Sequence, residues 1–124
     1  IQRRGVDMCH KAGIKVKGFF IIGLPGETWE TALQTIEFAK SLNLEYADVY
    51  ILTPYPATPL WENSDKYGIE IIKPENSDWS KYYQAGKNGE YFVNIKHNNL
   101  TEEQLRTLIN KFREEVKVGG LTYK

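Results

Sequence analysis

The chain has 124 residues with 16 basic and 16 acidic side chains, 41% hydrophobic and 13% aromatic residues, and a single cysteine. That size supports one modest core, and the neutral balance leaves no basic footprint for nucleic acid or an anionic membrane. No apolar run approaches the roughly 20 residues of a spanning helix, no signal peptide is visible, and a lone cysteine excludes an internal disulfide and points to a reducing cytoplasm.

The first residues, IQRRGVDMCHKAG, lack an initiator methionine and a helix cap and already read as helix. That suggests an excised piece of a longer protein, with tag removal as the bland alternative. The helix runs from Gln2 to Ala12, with Gly5, Met8 and Ala12 on one side and Val6 and Cys9 beside them. Gly13 ends it, because glycine accepts the left-handed conformation common just past a helix. A strand follows from Val16 to Ile22, and its last four residues (Phe19, Phe20, Ile21, Ile22) are apolar on both faces. Such a strand reads as covered on both sides, as in a parallel sheet flanked by helices.

After the Gly-Leu-Pro-Gly turn, Thr28 caps a helix running to about Leu42, with Trp29, Ala32, Leu33, Ile36 and Ala39 as its buried stripe. Phe38 lies half a turn off that stripe and needs a second surface. A strand from Tyr46 to Leu52 then alternates Ala47, Val49 and Ile51 with Tyr46, Asp48, Tyr50 and Leu52. Asp48 faces either the sheet interior or a helix layer. Strand, helix and strand make one βαβ unit, around which the chain is built.

Pro54, Pro56 and Pro59 stiffen the next loop. Leu60 to Tyr67 reads as a short helix closed by Gly68, Glu70 to Ile72 as a brief strand, PENSDWS as an irregular turn, and Glu90 to Lys96 as a strand. The last helix has Thr101 as cap, Gln104 in capping-box position, and Leu100 and Leu105 spaced as a hydrophobic staple. Its stripe is Leu105, Leu108, Ile109, Phe112 and Val116, and Gly119-Gly120 ends it.

Consecutive parallel strands carry their following loops at one end of the sheet, where ligands bind in α/β folds. GLPGE and TPYPATP therefore share a rim, with Glu27, Tyr55 and Thr58 as polar groups. GLPGE is no phosphate loop, since it lacks the lysine and Glu27 repels an anion. His10 and His97 are far apart, Cys9-His10 diverge on a helix, and no metal or triad spacing exists. The aromatic residues Trp79, Tyr82, Tyr83, Tyr91 and Phe92 form either a satellite core or a pocket lining.

FFIIGLPGET, then a helix, a strand and PYPATPLW, resembles the carboxyl half of the radical S-adenosylmethionine barrel, in the cobalamin-binding branch of iron–sulfur oxidoreductases and methyltransferase-like enzymes. AGIKVKG, DWSKYY and LTEEQL fit the same pattern, and the match covers essentially the whole chain. The resemblance implies an α/β fragment of a partial (β/α) TIM-type barrel. Residues 1–67 would be the carboxyl half of the barrel, and 68–124 an extension with an irregular segment and an amphipathic helix. It implies a longer enzyme that holds a four-iron four-sulfur cluster on a CxxxCxxC loop and cleaves S-adenosylmethionine to a 5′-deoxyadenosyl radical, with cobalamin as a further cofactor of the branch.

By the same resemblance, Ile21 packs on the adenine, Gly23 and Glu27 match the turn positions, and the segment Leu52 to Tyr55 offers backbone contacts to the adenine. Where the family reads proline-glycine-threonine, this chain has Pro56-Ala57-Thr58, and a Cβ penalises the positive φ that glycine would take. No CxxxCxxC occurs here. The chain alone is therefore expected to be inactive, with no catalytic residue or metal ligand of its own and no cofactor bound to it. Its expected partners are the remainder of the barrel and a small-molecule substrate, with self-association through open sheet edges. A standalone nucleotide-binding or protein-interaction module is the competing reading. An unrelated barrel enzyme ranks last, because only Glu27 qualifies as a strand-end carboxylate.

Overall fold

The computed structural model describes residues 1–75, 78–82 and 91–116. In chain order they form α1 (Gln2–Lys11), β1 (Lys17–Ile22), α2 (Trp29–Ser41), β2 (Tyr46–Ile51), α3 (Pro59–Glu62), a 3-10 turn (Ser64–Tyr67), β3 (Ile69–Ile71), a second 3-10 turn (Trp79–Tyr82), β4 (Ile95–His97) and α4 (Glu102–Glu115). The class is α/β.

β1 and β2 pair in parallel, with Lys17 opposite Tyr46 and Ile22 opposite Ile51, and α2 crosses between them. Thr28 and Thr31 cap α2 reciprocally: the Thr28 hydroxyl accepts the Thr31 N–H at 3.2 Å, and the Thr31 hydroxyl accepts the Thr28 N–H at 2.8 Å. Threonine here does the work of the usual glutamate in a capping box. Ala32, Ile36 and Ala39 are buried along the expected stripe. β3 and β4 form a separate antiparallel pair, with Ile69 opposite His97.

α4 is the cover of the parallel sheet. Its box closes as expected, with the Thr101 hydroxyl accepting the Gln104 N–H at 3.1 Å and the Gln104 carbonyl accepting the Thr101 N–H at 2.9 Å. Leu105, Leu108, Ile109 and Phe112 are buried, and Phe112 meets Phe20 of β1 at 5.1 Å between ring centroids. One core cluster joins Ile22, Ile36, Val49 and Ile51 to Ile69, Ile95, Leu108 and Phe112, so the same core spans both sides of position 67.

The expectation that β1 is covered on both faces fails. Ile22 is fully buried on one face, whereas Phe19 and Ile21 on the other are 65% and 44% exposed. The reason is that α2 and α4 both lie on the Phe20–Ile22 side. The open face of the sheet carries Lys17, Phe19 and Ile21 beside Tyr46, Asp48 and Tyr50. Asp48 is thereby placed: it accepts an ion pair from Lys17 at 2.6 Å and a hydrogen bond from the Tyr50 hydroxyl at 3.3 Å.

Phe38 finds its second surface in α1, where the Arg3 guanidinium lies over the ring at 5.6 Å. α1 itself buries no side chain and is held by polar contacts. Arg3 donates to the Ser41 hydroxyl at 2.7 Å, and His10 pairs with Glu45 at 3.0 Å.

The strand boundaries are corrected: β1 starts at Lys17 rather than Val16, and β2 ends at Ile51 rather than Leu52. β3 starts one residue earlier than expected, and the strand expected over Glu90 to Lys96 is Ile95–His97 only. Asn94 still extends the pairing, its carbonyl accepting the Ile72 N–H at 2.9 Å. Tyr91 serves a different purpose, donating its hydroxyl to the Val49 carbonyl of β2 at 3.0 Å while its ring lies 4.0 Å from the Arg113 guanidinium. The expected short helix splits into α3 and the first 3-10 turn, closed by Gly68 at φ +67°. The expected Gly119-Gly120 stop, Tyr83 and part of PENSDWS lie outside the described residues.

Candidate functional site

The loops after β1 and β2 lie at the same end of the parallel pair, as chain direction requires. The first is a tight turn. Leu24 accepts the Glu27 N–H at 3.0 Å, Pro25 fixes the first central φ, and Gly26 takes φ +80° at the second. This is a type II turn, which needs a positive φ at its second central residue. Just before it, Gly23 is buried at φ +90°, and a Cβ there would lie 3.2 Å from Leu105 of α4. Only glycine lets the chain pass this close to α4 in this conformation.

Glu27 closes the turn on itself, its carboxylate accepting the Gly23 N–H. Burial pushes the Glu27 carboxyl above its ordinary value, against the pull of the Gly23 and Leu24 backbone groups. Leu52 joins the two loops, donating its N–H to Ile22 at 2.8 Å. Ile21 lies two residues before Gly23 on the open face, and its side chain is about half exposed. With Phe19, Leu24, Glu27, Val6 and Phe38 it lines a groove of about 390 Å³ along β1.

The second loop has its own order. The Thr58 hydroxyl donates to the Tyr55 carbonyl at 2.7 Å and accepts the Trp61 N–H at 3.3 Å, capping α3. Ala57 adopts φ +64° in spite of its Cβ, so the positive-φ geometry penalised by a side chain is present here and strained. Pro54 is fully buried, whereas Tyr55 is 53% exposed. The Tyr55 ring leans on Tyr82 at 6.2 Å.

Of the five residues singled out in the sequence, Gly23, Glu27 and Leu52 are thus joined through the β1 turn. Ile21 stands beside them on the open face, and Tyr55 belongs to an aromatic group with Tyr82. Within that group Trp79 meets Tyr82 at 4.9 Å and Trp61 meets Tyr82 at 6.4 Å, and the Tyr82 hydroxyl donates to Ile72 at 3.2 Å. Tyr91 is elsewhere, on the outer edge of β2, so the expected aromatic cluster divides in two.

Two residues missed in the sequence hold the turn from outside. His97, the last residue of β4, contacts the Leu24 carbonyl through Nε2 at 2.9 Å. Asn99 donates its side-chain N–H to the Glu27 carbonyl at 3.2 Å. Both contacts span more than 70 residues, and no local pattern announces them. Among the described residues, no group of three His, Cys, Asp or Glu side chains could hold a metal ion, and no helix is long and apolar enough to cross a membrane.

No family model matches the chain. It is similar to an uncharacterized methyltransferase of Pyrococcus horikoshii, with 39% identity over 106 residues, covering 86% of this chain and 21% of that protein. It is also similar to the bacteriochlorophyllide d C-12(1)-methyltransferase of Chlorobaculum tepidum, with 26% identity over 119 residues, 96% of this chain and 24% of that protein. A third relative is the tRNA-2-methylthio-N(6)-dimethylallyladenosine synthase of a Psychrobacter species, 44% identical over 54 residues, 44% of this chain and 11% of that protein. The chain spans about a fifth of the length of the curated relatives it matches first.

Proposed function

We propose that this chain is part of a radical S-adenosylmethionine enzyme of the cobalamin-binding, methyltransferase-like kind, and that it contributes one wall of the S-adenosylmethionine and substrate pocket. The observation that carries the reading is the pairing of an uncovered Ile21, on the helix-free face of a parallel βαβ unit, with a tightly closed Gly23–Glu27 turn at the carboxyl end of its strands. The methyltransferase and methylthio-synthase names among its relatives support the same chemistry.

The donor set fits only part of the cofactor requirement. Cys9 is the single thiol, so the cluster would be held by residues outside these 124. The face fits an adenine ring better: Ile21 offers half-exposed apolar surface, and the backbone from Leu52 to Tyr55 runs along the adjoining strand end. Bound cluster and S-adenosylmethionine would supply one-electron chemistry, with cobalamin as a further cofactor in the same branch. This chain's residues would shape and dry the pocket. The open sheet face would then bury against the rest of the barrel in the longer protein, and the chain alone would self-associate through its open sheet edge.

The test is the full-length protein purified without oxygen, with iron and sulfide measured and S-adenosylmethionine binding titrated. Iron with tight binding, lost in Ile21→Glu, is expected. A full-length protein with no iron, or one whose affinity ignores Ile21→Glu, would overturn the reading in favour of a binding module.

A further inference from the structure

The contacts of His97 define its tautomer. A carbonyl only accepts, so Nε2 carries the proton that bonds Leu24 at 2.9 Å. Nδ1 accepts the Asn99 N–H at 3.0 Å. Both bonds are made at once only by the neutral ring. Two residues further on, the Asn99 side chain holds the Glu27 carbonyl at 3.2 Å. The two ends of the turn are therefore tied down separately, Leu24 to the last residue of β4 and Glu27 to the segment that follows it. α4 itself rests against Gly23 through Leu105. The turn's shape is fixed from outside as well as by its own hydrogen bonds.

We propose that His97 is a positioning residue for the candidate cofactor wall, acting through the Leu24 carbonyl, with Asn99 as its companion at Glu27. This rests on the reading of the Gly23–Glu27 turn as part of that wall. A packing role alone would tolerate any ring of similar size. A positioning role requires a donor at the place of Nε2, which the amide of glutamine supplies and phenylalanine does not.

The experiment is amide hydrogen exchange on the full-length protein as wild type, His97→Phe, His97→Gln and Asn99→Ala. His97→Phe is expected to speed exchange of the Gly23 and Glu27 amides about tenfold, the equivalent of one lost hydrogen bond. The Ile109 and Phe112 amides of α4 should be unchanged, and His97→Gln should restore most of the protection. Unchanged exchange at Gly23 and Glu27, equal acceleration in α4, or failure of glutamine to rescue would each overturn the proposal. Should His97→Phe not fold, Asn99→Ala gives the same reading at Glu27, and unchanged exchange there overturns it. A second arm titrates S-adenosylmethionine into the cluster-loaded full-length protein. No binding by the wild type sinks the functional reading while the exchange result stands. Equal affinity in the wild type and His97→Phe sinks the positioning role.

Discussion

The two faces of the β1–β2 sheet share apolar residues from β1 but differ in what covers them. Phe20, Ile22, Val49 and Ile51 meet α2 and α4 and belong to the core. Phe19 and Ile21, equally apolar and only one residue away, are uncovered, and their neighbours are the Lys17–Asp48–Tyr50 network. Stability is built on one face, and the other is left open among the described residues. Alternation of side chains along a strand makes this division possible within six residues.

Truncation should separate the faces most sharply. Ile22→Ala removes a fully buried side chain and is expected to cost about 3 kcal/mol in urea unfolding. Ile21→Ser should cost less than about 1 kcal/mol, because its side chain is already 44% exposed and lies outside the core cluster. Equal losses would mean that the open face is covered in solution. At the turn between the faces, Gly23→Ala should cost about 2 kcal/mol, from a positive φ together with a close contact on Leu105. Ala57→Gly on the second loop should go the other way and stabilise by about 1 kcal/mol, since it relieves a strained positive φ. A loss instead would show that the loop relaxes without glycine.

The smallest effects are electrostatic and oppose each other. Burial raises the Glu27 carboxyl, so the folded state holds its proton more tightly, and this contribution is present at low pH and lost as pH rises above the ordinary 4.5. The Val16 N–H and then His10 hold the Glu45 carboxyl below that value, so its contribution is present above 4.5 and lost as pH falls. Glu27→Gln should flatten the loss on the alkaline side of 4.5, and Glu45→Gln the loss on the acid side. Thermal melts across the acid range would read both slopes, and identical profiles in the two variants would refute the assignment.

What was legible in the sequence was local. The capped helices α2 and α4, both parallel strands and the glycine closing the first 3-10 turn each announce themselves within a few residues by period, cap or φ requirement. Which face of β1 is open was not legible, because Phe19, Phe20, Ile21 and Ile22 are alike in hydrophobicity and only the placement of two distant helices divides them. The β3–β4 pair was hidden for a related reason: three-residue strands carry almost no periodic signal, and their pairing bridges about two dozen residues of weak pattern. His97 and Asn99 look like loop residues before a cap, and their role exists only through tertiary contact. The strain at Ala57 was foreshadowed by its position between proline and threonine, but only the backbone shows that the chain accepts the cost.

The hydrogen bond from Tyr91 to Val49 carries one more consequence. In β2, residues 46 and 52 turn their backbone groups toward β1, so Val49 and Ile51 turn theirs away. Their outward carbonyls are taken by hydroxyls, Val49 by Tyr91 at 3.0 Å and Ile51 by Thr53 at 3.2 Å. Side chains thus occupy the acceptors that an incoming strand would use, a form of protection against edge-to-edge aggregation. The flank beyond β2 thus offers an incoming strand fewer ready acceptors.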